Sequence, residues 1–282
     1  MRIHRLHWLL LLITALSAQV AAEPDTIRFG VLSIAPPARI HAKWQPFTAY
    51  LSKQLGQAVT IVILRGFGKM KAAVAAKQVD VFYINSHVFY RLQQEDKAVG
   101  VAQMQNIDGK VTSRSEIYVR ADSGIESAEQ LKGKRIAFVS PMGAGGYLAP
   151  RAHLYKSGVT DNVEIFTKNL SNSIHQVLLG DVEAGTMCGV NYRLMSQKID
   201  TGELRVIDVS DEYPENVIAA RADLEPALLS RIRDIITGMD KTPAGSAVLE
   251  QMRSMKIQRF LAYDPASVTM TGNLLEEAQL NP

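Results

Sequence analysis

Two stretches of this chain echo one another: "AAVAAKQVDVF" (72–82) and "QVLLGDVEAGT" (176–186). In each, the end of a helix runs straight into a short strand of valine, an acid and apolar residues. Strands joined through helices lie parallel in a sheet, with the helices packed on its faces. The flanking segments keep the same alternation. In the first half, "TIRFGVLS" (26–33) has the two-residue period of a strand. "AKWQPFTAYLSKQLG" (42–56) has helical spacing, with Pro46 suited to a first turn and Gly56 to a C-terminal stop. "AVTIVIL" reads as a strand, "GFG" as a turn, "KMKAAVAAKQ" as a helix and "VDVFYI" as a strand. "NSHVFYRLQQED" is a helix capped by Asn85 or Ser86. The second half runs "KRIAFV" (strand), a glycine-rich loop, a helix over 146–157, "NVEIFT" (strand), "SNSIHQVLLGD" (helix), "VEAGTMC" (strand) and "GVNYRLMSQKID" (helix). The pattern predicts an α/β protein of two lobes, each a mostly parallel sheet flanked by helices.

Two extended segments, "SRSEIYVRAD" (113–122) and "ELRVIDVSDEYPENVIAARAD" (203–223), read as the crossings between lobes. They divide the chain into a discontinuous first lobe, 23–116 plus 217–282, and a second lobe, 117–216. The tail after residue 223 is mostly helical and is expected to return to the first lobe.

Residues 1–22 predict a cleaved secretory signal. Arg2 and Arg5 form its basic region, Trp8 to Leu16 its apolar core, and Val20-Ala21-Ala22 its small-residue cleavage site. The apolar stretch is short for a bilayer span, and no later segment is long and apolar enough to be one. Removing this segment takes away two arginines and no acid, so the formal +3 becomes +1, with 29 basic against 28 acidic residues. No Lys/Arg run marks a nucleic-acid surface. Cys188 is the only cysteine, so there is no internal disulfide and no cysteine at the cleavage site to accept a lipid. An unpaired thiol in an oxidising compartment is either buried or used.

Ligands of open parallel sheets bind beyond the carboxyl ends of the strands. There, helix N-termini offer free N–H groups and the positive end of a dipole. Between two lobes, these edges face each other across a cleft. The candidate ligand residues are therefore those at strand-to-helix junctions: Phe67, then Asn85, Ser86 and His87, in the first lobe. In the second they are Gly143, Ala144, Gly145, Gly146 and Tyr147, then Ser171, then Cys188 and Asn191. Ser113, Arg114 and Asn216 join them from the crossings. Each has a plainer alternative. The glycines serve turn geometry or an anion. His87 is a capped or surface histidine, or a ligand contact. Cys188 is a small buried hydrophobe, or it touches the ligand. Arg114 pairs with Glu116, or meets an anion.

Enzyme signatures are absent. There is no G-x-S-x-G elbow, phosphate-cradling G-x-x-x-x-G-K-[ST], His-Glu-x-x-His or paired-cysteine metal spacing. An exported two-lobe protein without catalytic groups, metal ligands or a cofactor motif reads as a binding protein.

The stretches "IRFGVLSIAPP", "KWQPFTAYLSKQLG", "AAVAAKQVDVFYI", "SEIYVRADSGIESAEQLKGKRIAFVSP" and "GGYLAPRAHLYKSGV" together resemble the phosphate/phosphite/phosphonate-type periplasmic solute-binding proteins of ABC importers. The resemblance implies a type II binding-protein fold that closes by hinge motion on a ligand between its lobes. It also implies a periplasmic, monomeric protein that delivers its ligand to a permease in the inner membrane. At the positions that hold ligand in that family the chain departs from the pattern. Phe67 and Ser113 stand where tyrosines are common, and Gly143-Ala144-Gly145 where a Ser/Thr cluster is usual. Leu170 stands for a histidine, and Val190 and Asn216 for acids seen in some aminophosphonate binders. The expected ligand is thus a small polar or anionic solute, oxyanion or phosphonate-like, with its identity open. The alternative is a sensor subunit that presents a thiophilic, arsenite-like ligand to a membrane histidine kinase, with Cys188, Met187, Met142 and His87 around it.

Overall fold

The computed structural model describes residues 26–32 and 36–280; the expected signal segment, 1–22, lies outside the described residues. The first lobe opens with β1 (Thr26–Leu32), whose alternate residues Ile27, Phe29 and Val31 are buried. It continues through α1 (Pro37–Leu55), β2 (Ala58–Leu64), α2 (Phe67–Ala75), β3 (Val81–Ile84), α3 (Ser86–Gln94) and β4 (Ala98–Asn106). The chain crosses in β5 (Thr112–Ser113) and builds the second lobe from β6 (Ser115–Arg120), β7 (Arg135–Phe138), α4 (Ala149–Lys156) and β8 (Val163–Phe166). That lobe is completed by α5 (Leu170–Leu178), β9 (Ala184–Cys188), α6 (Gly189–Ser196) and β10 (Leu204–Val209). It returns through β11 (Tyr213–Pro214) into β12 (Val217–Arg221), α7 (Pro226–Thr237), α8 (Pro243–Met252), β13 (Ile257–Ala262) and α9 (Ala266–Glu277).

The strand orders are β13-β4-β12-β3-β1-β2 and β10-β6-β9-β7-β8, with β5 and β11 forming an antiparallel ribbon between them. Leaving aside β13, the two sheets share one plan. Three strands run parallel toward the crossings (β3-β1-β2 and β9-β7-β8), and the entering and leaving strands add on beside them. The sheets are therefore mixed rather than mostly parallel. A strand that enters from the hinge must run away from it, against its neighbours, so β12 is antiparallel to β3 and β6 to β9. The echoed stretches are α2 into β3 and α5 into β9, equivalent joints of the two lobes.

Three local expectations change. The first helix begins at Pro37, not near Pro46, which lies inside it. Apolar packing by Ile40, Trp44, Phe47 and Leu51 holds the helix through the proline, and Thr48 Oγ1 donates to the carbonyls of Trp44 and Gln45 around it. β4 escapes a pattern reading because Gly100, Gln103 and Gln105 interrupt its apolar residues; β12 and β13 on either side make it a strand. β13 itself interrupts the helical tail.

The first-lobe core centres on an aromatic cluster. Phe29 lies 5.2 Å from both Trp44 and Phe47, and Phe47 lies 5.8 Å from Phe260 of the tail. Each such buried side chain contributes about 1.5–3 kcal/mol. α9 does not stay with the first lobe. Its Leu274, Leu275 and the following Ala278 pack against Leu148, Ala149 and Ala152 of the second, while α9 also contacts α3.

Candidate functional site

The β5–β11 ribbon sets Tyr213 opposite Ser113 and carries Glu215 and Asn216 just beyond it. Glu215 is fully buried. It accepts hydrogen bonds from Ser113 Oγ (2.5 Å), Asn106 Nδ2 (3.1 Å) and Lys256 Nζ (2.6 Å). Burial works against the carboxylate, but the Lys256 charge and these donors hold its pKa below the usual range. Lys256 precedes β13 in a left-handed conformation (φ 62°), and its Nζ also lies 3.6 Å from Cys188 Sγ at the end of β9. Burial opposes its charge too; Cys188, Glu215 and Tyr83 outweigh it and raise its pKa. One polar cluster thus joins the last strand of the first lobe, both crossings and the central strand of the second. The Ser86 hydroxyl ties α3 to it by donating to the Pro214 carbonyl at 2.9 Å.

Above this floor lies the glycine-rich loop, and its helix starts in an unusual way. Leu148 N–H reaches back five residues to the Gly143 carbonyl (3.0 Å) and Ala149 N–H to that of Ala144, so Ala144–Leu148 is a π turn leading into α4. Two glycines are required by close approach. A Cβ on Gly146 would stand 2.9 Å from Val139 Cβ, and one on Gly145 would overlap the Tyr213 hydroxyl. Ser115 Oγ donates to the Gly145 carbonyl (2.7 Å) and Thr186 Oγ1 to that of Gly146 (3.3 Å). The carbonyls are tied down, while no acceptor among the described residues meets the N–H groups of Ala144, Gly145 and Gly146. A wide, uncapped helix start of this kind can receive an anion or a polar oxygen.

The first turn of α3 faces the problem differently. Asn85 caps it by accepting from Val88 N–H at 3.1 Å. His87 is 1% exposed, and neither ring nitrogen has a hydrogen-bond partner among the described residues. Burial, aided by the nearby Arg91 charge, lowers its pKa to about 4, so the imidazole is neutral at pH 7. α3 packs on the π turn, and Phe67 and Met142 pack on the same apolar cluster as Val88 and Phe89, bringing the lobes into contact.

The structure thus gathers Asn85, Ser86, His87, Ser113, Gly143 to Gly146, Cys188 and Asn216 around the crossings, while Phe67 packs on the apolar cluster beside Val88 and Phe89. Asn216 accepts from Met104 N–H through its backbone carbonyl (3.0 Å). Other candidates go elsewhere. Tyr147 packs edge-on against Phe138 and donates to Glu164 (3.0 Å), inside the second lobe, where its ring joins the core beside Phe166. Ser171 donates to Asn169 Oδ1 (2.9 Å) as part of the α5 cap. Asn191 is half-buried in the first turn of α6. Arg114 meets Glu212 (3.6 Å), not Glu116, beside a cavity of about 210 Å³ lined also by Glu116, Val190 and Arg193. Sequence reasoning missed Glu215, Lys256, Asn106 and Tyr213. Glu215 adjoins Asn216 and could have been named with it. Lys256 carries no local signal at all.

Residues 29–267 match the family described as "ABC transporter, phosphonate, periplasmic substrate-binding protein". The chain is 24% identical over 251 residues to the phosphonates-binding periplasmic protein of Escherichia coli K12, covering 85% of this chain and 74% of that one. It is 29% identical over 142 residues to the tetrathionate sensor histidine kinase TtrS of Salmonella typhimurium, about half of this chain (49%) and 24% of the kinase. In fold it is similar to PhnD1 of Prochlorococcus marinus, whose structure holds methylphosphonate: TM-score 0.79 at 18% identity, over 91% of this chain and 99% of that one. The shared two-lobe plan and the family match along most of its length make this chain a member of the phosphonate-type periplasmic substrate-binding proteins of ABC transporters, a family of binding proteins rather than enzymes.

Proposed function

We propose that this protein captures a small polar or anionic solute, an oxyanion or phosphonate-like molecule, between its lobes and delivers it to an ABC permease in the inner membrane. The observation that carries this reading is the uncapped π turn, whose free N–H groups at Ala144, Gly145 and Gly146 adjoin α3 with its unpartnered His87. A neutral imidazole offers one donor and one acceptor, suited to an oxyanion that still carries a proton. Lys256 is already matched by Glu215, so the ligand's charge is met by N–H groups and the helix dipole. The protein is exported through cleavage after residue 22, unlipidated, and works as a monomer in the periplasm. The lobes close on the ligand about the β5–β11 ribbon. Calorimetric titration with methylphosphonate, inorganic phosphate and sulfate is expected to show binding, with a smaller radius of gyration in solution scattering. No heat and no compaction with any of them would remove the anion reading.

A second reading, a sensor subunit for a histidine kinase, draws on the partial similarity to TtrS and on Cys188 beside Lys256. It expects a thiophilic ligand. Equal affinity of wild type and Cys188→Ser for arsenite would dismiss it.

A further inference from the structure

Ala144, Gly145 and Gly146 bring no hydroxyl to the cradle and the Tyr147 hydroxyl is turned away to Glu164, yet a hydroxyl stands in the space where the side chain of residue 145 would begin. It belongs to Tyr213, which is 3% exposed and rises from the second crossing opposite Ser113; its hydroxyl lies within hydrogen-bonding reach of Ser113 and Cys188, partners that a ligand would share or displace. Gly145 leaves room for it, since any Cβ there would overlap the phenol oxygen. The backbone of the same turn is held from beneath by Ser115 and Thr186, so it cannot retreat from the ring without losing both hydrogen bonds. Loop and tyrosine therefore form a matched pair: one gives up its side chain, the other fills the space with a single O–H on a rigid ring.

We propose that Tyr213 is a specificity-determining residue of the cleft, its hydroxyl serving as the side-chain donor of the cradle formed by the Ala144–Gly146 N–H groups, and Gly145 being glycine to admit it. The proposal rests on the oxyanion reading given above. A phenol carried on a crossing strand moves with the hinge, whereas a hydroxyl on the loop would move with the second lobe. The contact between Tyr213 and the cradle is then made when both crossing and loop are in register, which couples recognition to closure.

Three variants test this, with methylphosphonate, inorganic phosphate, sulfate and tetrathionate as calorimetric probes and the melting temperature as the control for folding. Tyr213→Phe keeps the ring and removes only the hydroxyl. It is expected to melt as wild type does and to bind the preferred probe about tenfold to a hundredfold more weakly, the worth of one hydrogen bond to a charged group. Gly145→Ser is expected to lose both binding and melting temperature through overlap with the ring. Combining Gly145→Ser with Tyr213→Val is expected to restore both in part, as the serine hydroxyl takes over. If wild type binds a probe and Tyr213→Phe binds it equally well, the assignment of Tyr213 is overturned while the oxyanion reading stands. A double variant no better than Gly145→Ser overturns the matched pair. If wild type binds none of the probes, the oxyanion reading and the role of Tyr213 fall together.

Discussion

Two buried polar regions meet at the crossings, and they are finished differently. Around Glu215 every charge has its counterpart: Lys256, Ser113 and Asn106 converge on one carboxylate with no exposure to water. Around the π turn and α3, the buried His87 and the N–H groups of the buried Ala144 and Gly145 and the half-buried Gly146 have no partner among the described residues. A buried polar group without a partner costs about 1–3 kcal/mol, so a fold does not keep several of them in one place for stability. The matched cluster reads as the part that holds the lobes in relation to each other. The unmatched one reads as the part reserved for a ligand.

Substitutions can break this contrast. The largest effect belongs to Lys256→Met, which strands the Glu215 carboxylate in the interior; chemical denaturation is expected to show a loss of about 3–5 kcal/mol. Adding Glu215→Leu should recover most of it, because an apolar pair tolerates burial. A loss below about 1 kcal/mol for the single variant would mean that water reaches the cluster, and the contrast would fail.

His87 sharpens the other side. Its folded pKa, about 4, lies below the 6.5 of a free histidine. Above pH 6.5 both folded and unfolded chains carry it neutral, and it adds no pH dependence. As pH falls from 6.5 toward 4 the unfolded chain takes up a proton that the folded one refuses, and stability drops by up to about 3 kcal/mol. Urea unfolding at pH 7.5 and pH 5 should show about 2 kcal/mol of this drop in wild type and less in His87→Gln. Equal drops in both would place the acid sensitivity elsewhere.

The two helix starts give the smallest and most direct comparison. Asn85→Ala removes a working cap and is expected to cost about 1 kcal/mol. Gly143 occupies the corresponding position before the π turn with φ −80° and no side-chain cap. Gly143→Ala is therefore expected to stay within about 0.5 kcal/mol of wild type in the same melt. A larger cost at 143 than at 85 would show that the second helix start is tuned for stability after all.

Much of the scaffold was legible before any coordinates. Period-two and helical spacing located β1, β2, β3 and β7 to β9 together with the helices between them, because those segments bury one face or both against neighbours close in sequence. β4 was not legible, since its glutamines and glycine make sense only between β12 and β13. The site divides in the same way. Glycines after β7 and Asn85-Ser86-His87 after β3 stand at strand ends, where local pattern alone marks a candidate binding edge. Tyr213 and Lys256 reach the site from a crossing and from the chain's far end. Tyr147 looked like a member of the loop and turned inward to Phe138 and Glu164.

The sequence by itself determined the two α/β lobes, the strand-to-helix joints at their edges and the absence of hydroxyls from Gly143 to Gly146, because each is a property of contiguous residues. Only the tertiary structure decided that the sheets are mixed, that α9 straddles both lobes and that Glu215, Lys256 and Cys188 share one buried cluster. It also decided that a tyrosine from the second crossing stands over Gly145. Those contacts join residues far apart in the chain. They are fixed by how the crossings bring two independently patterned sheets face to face, which no local periodicity encodes.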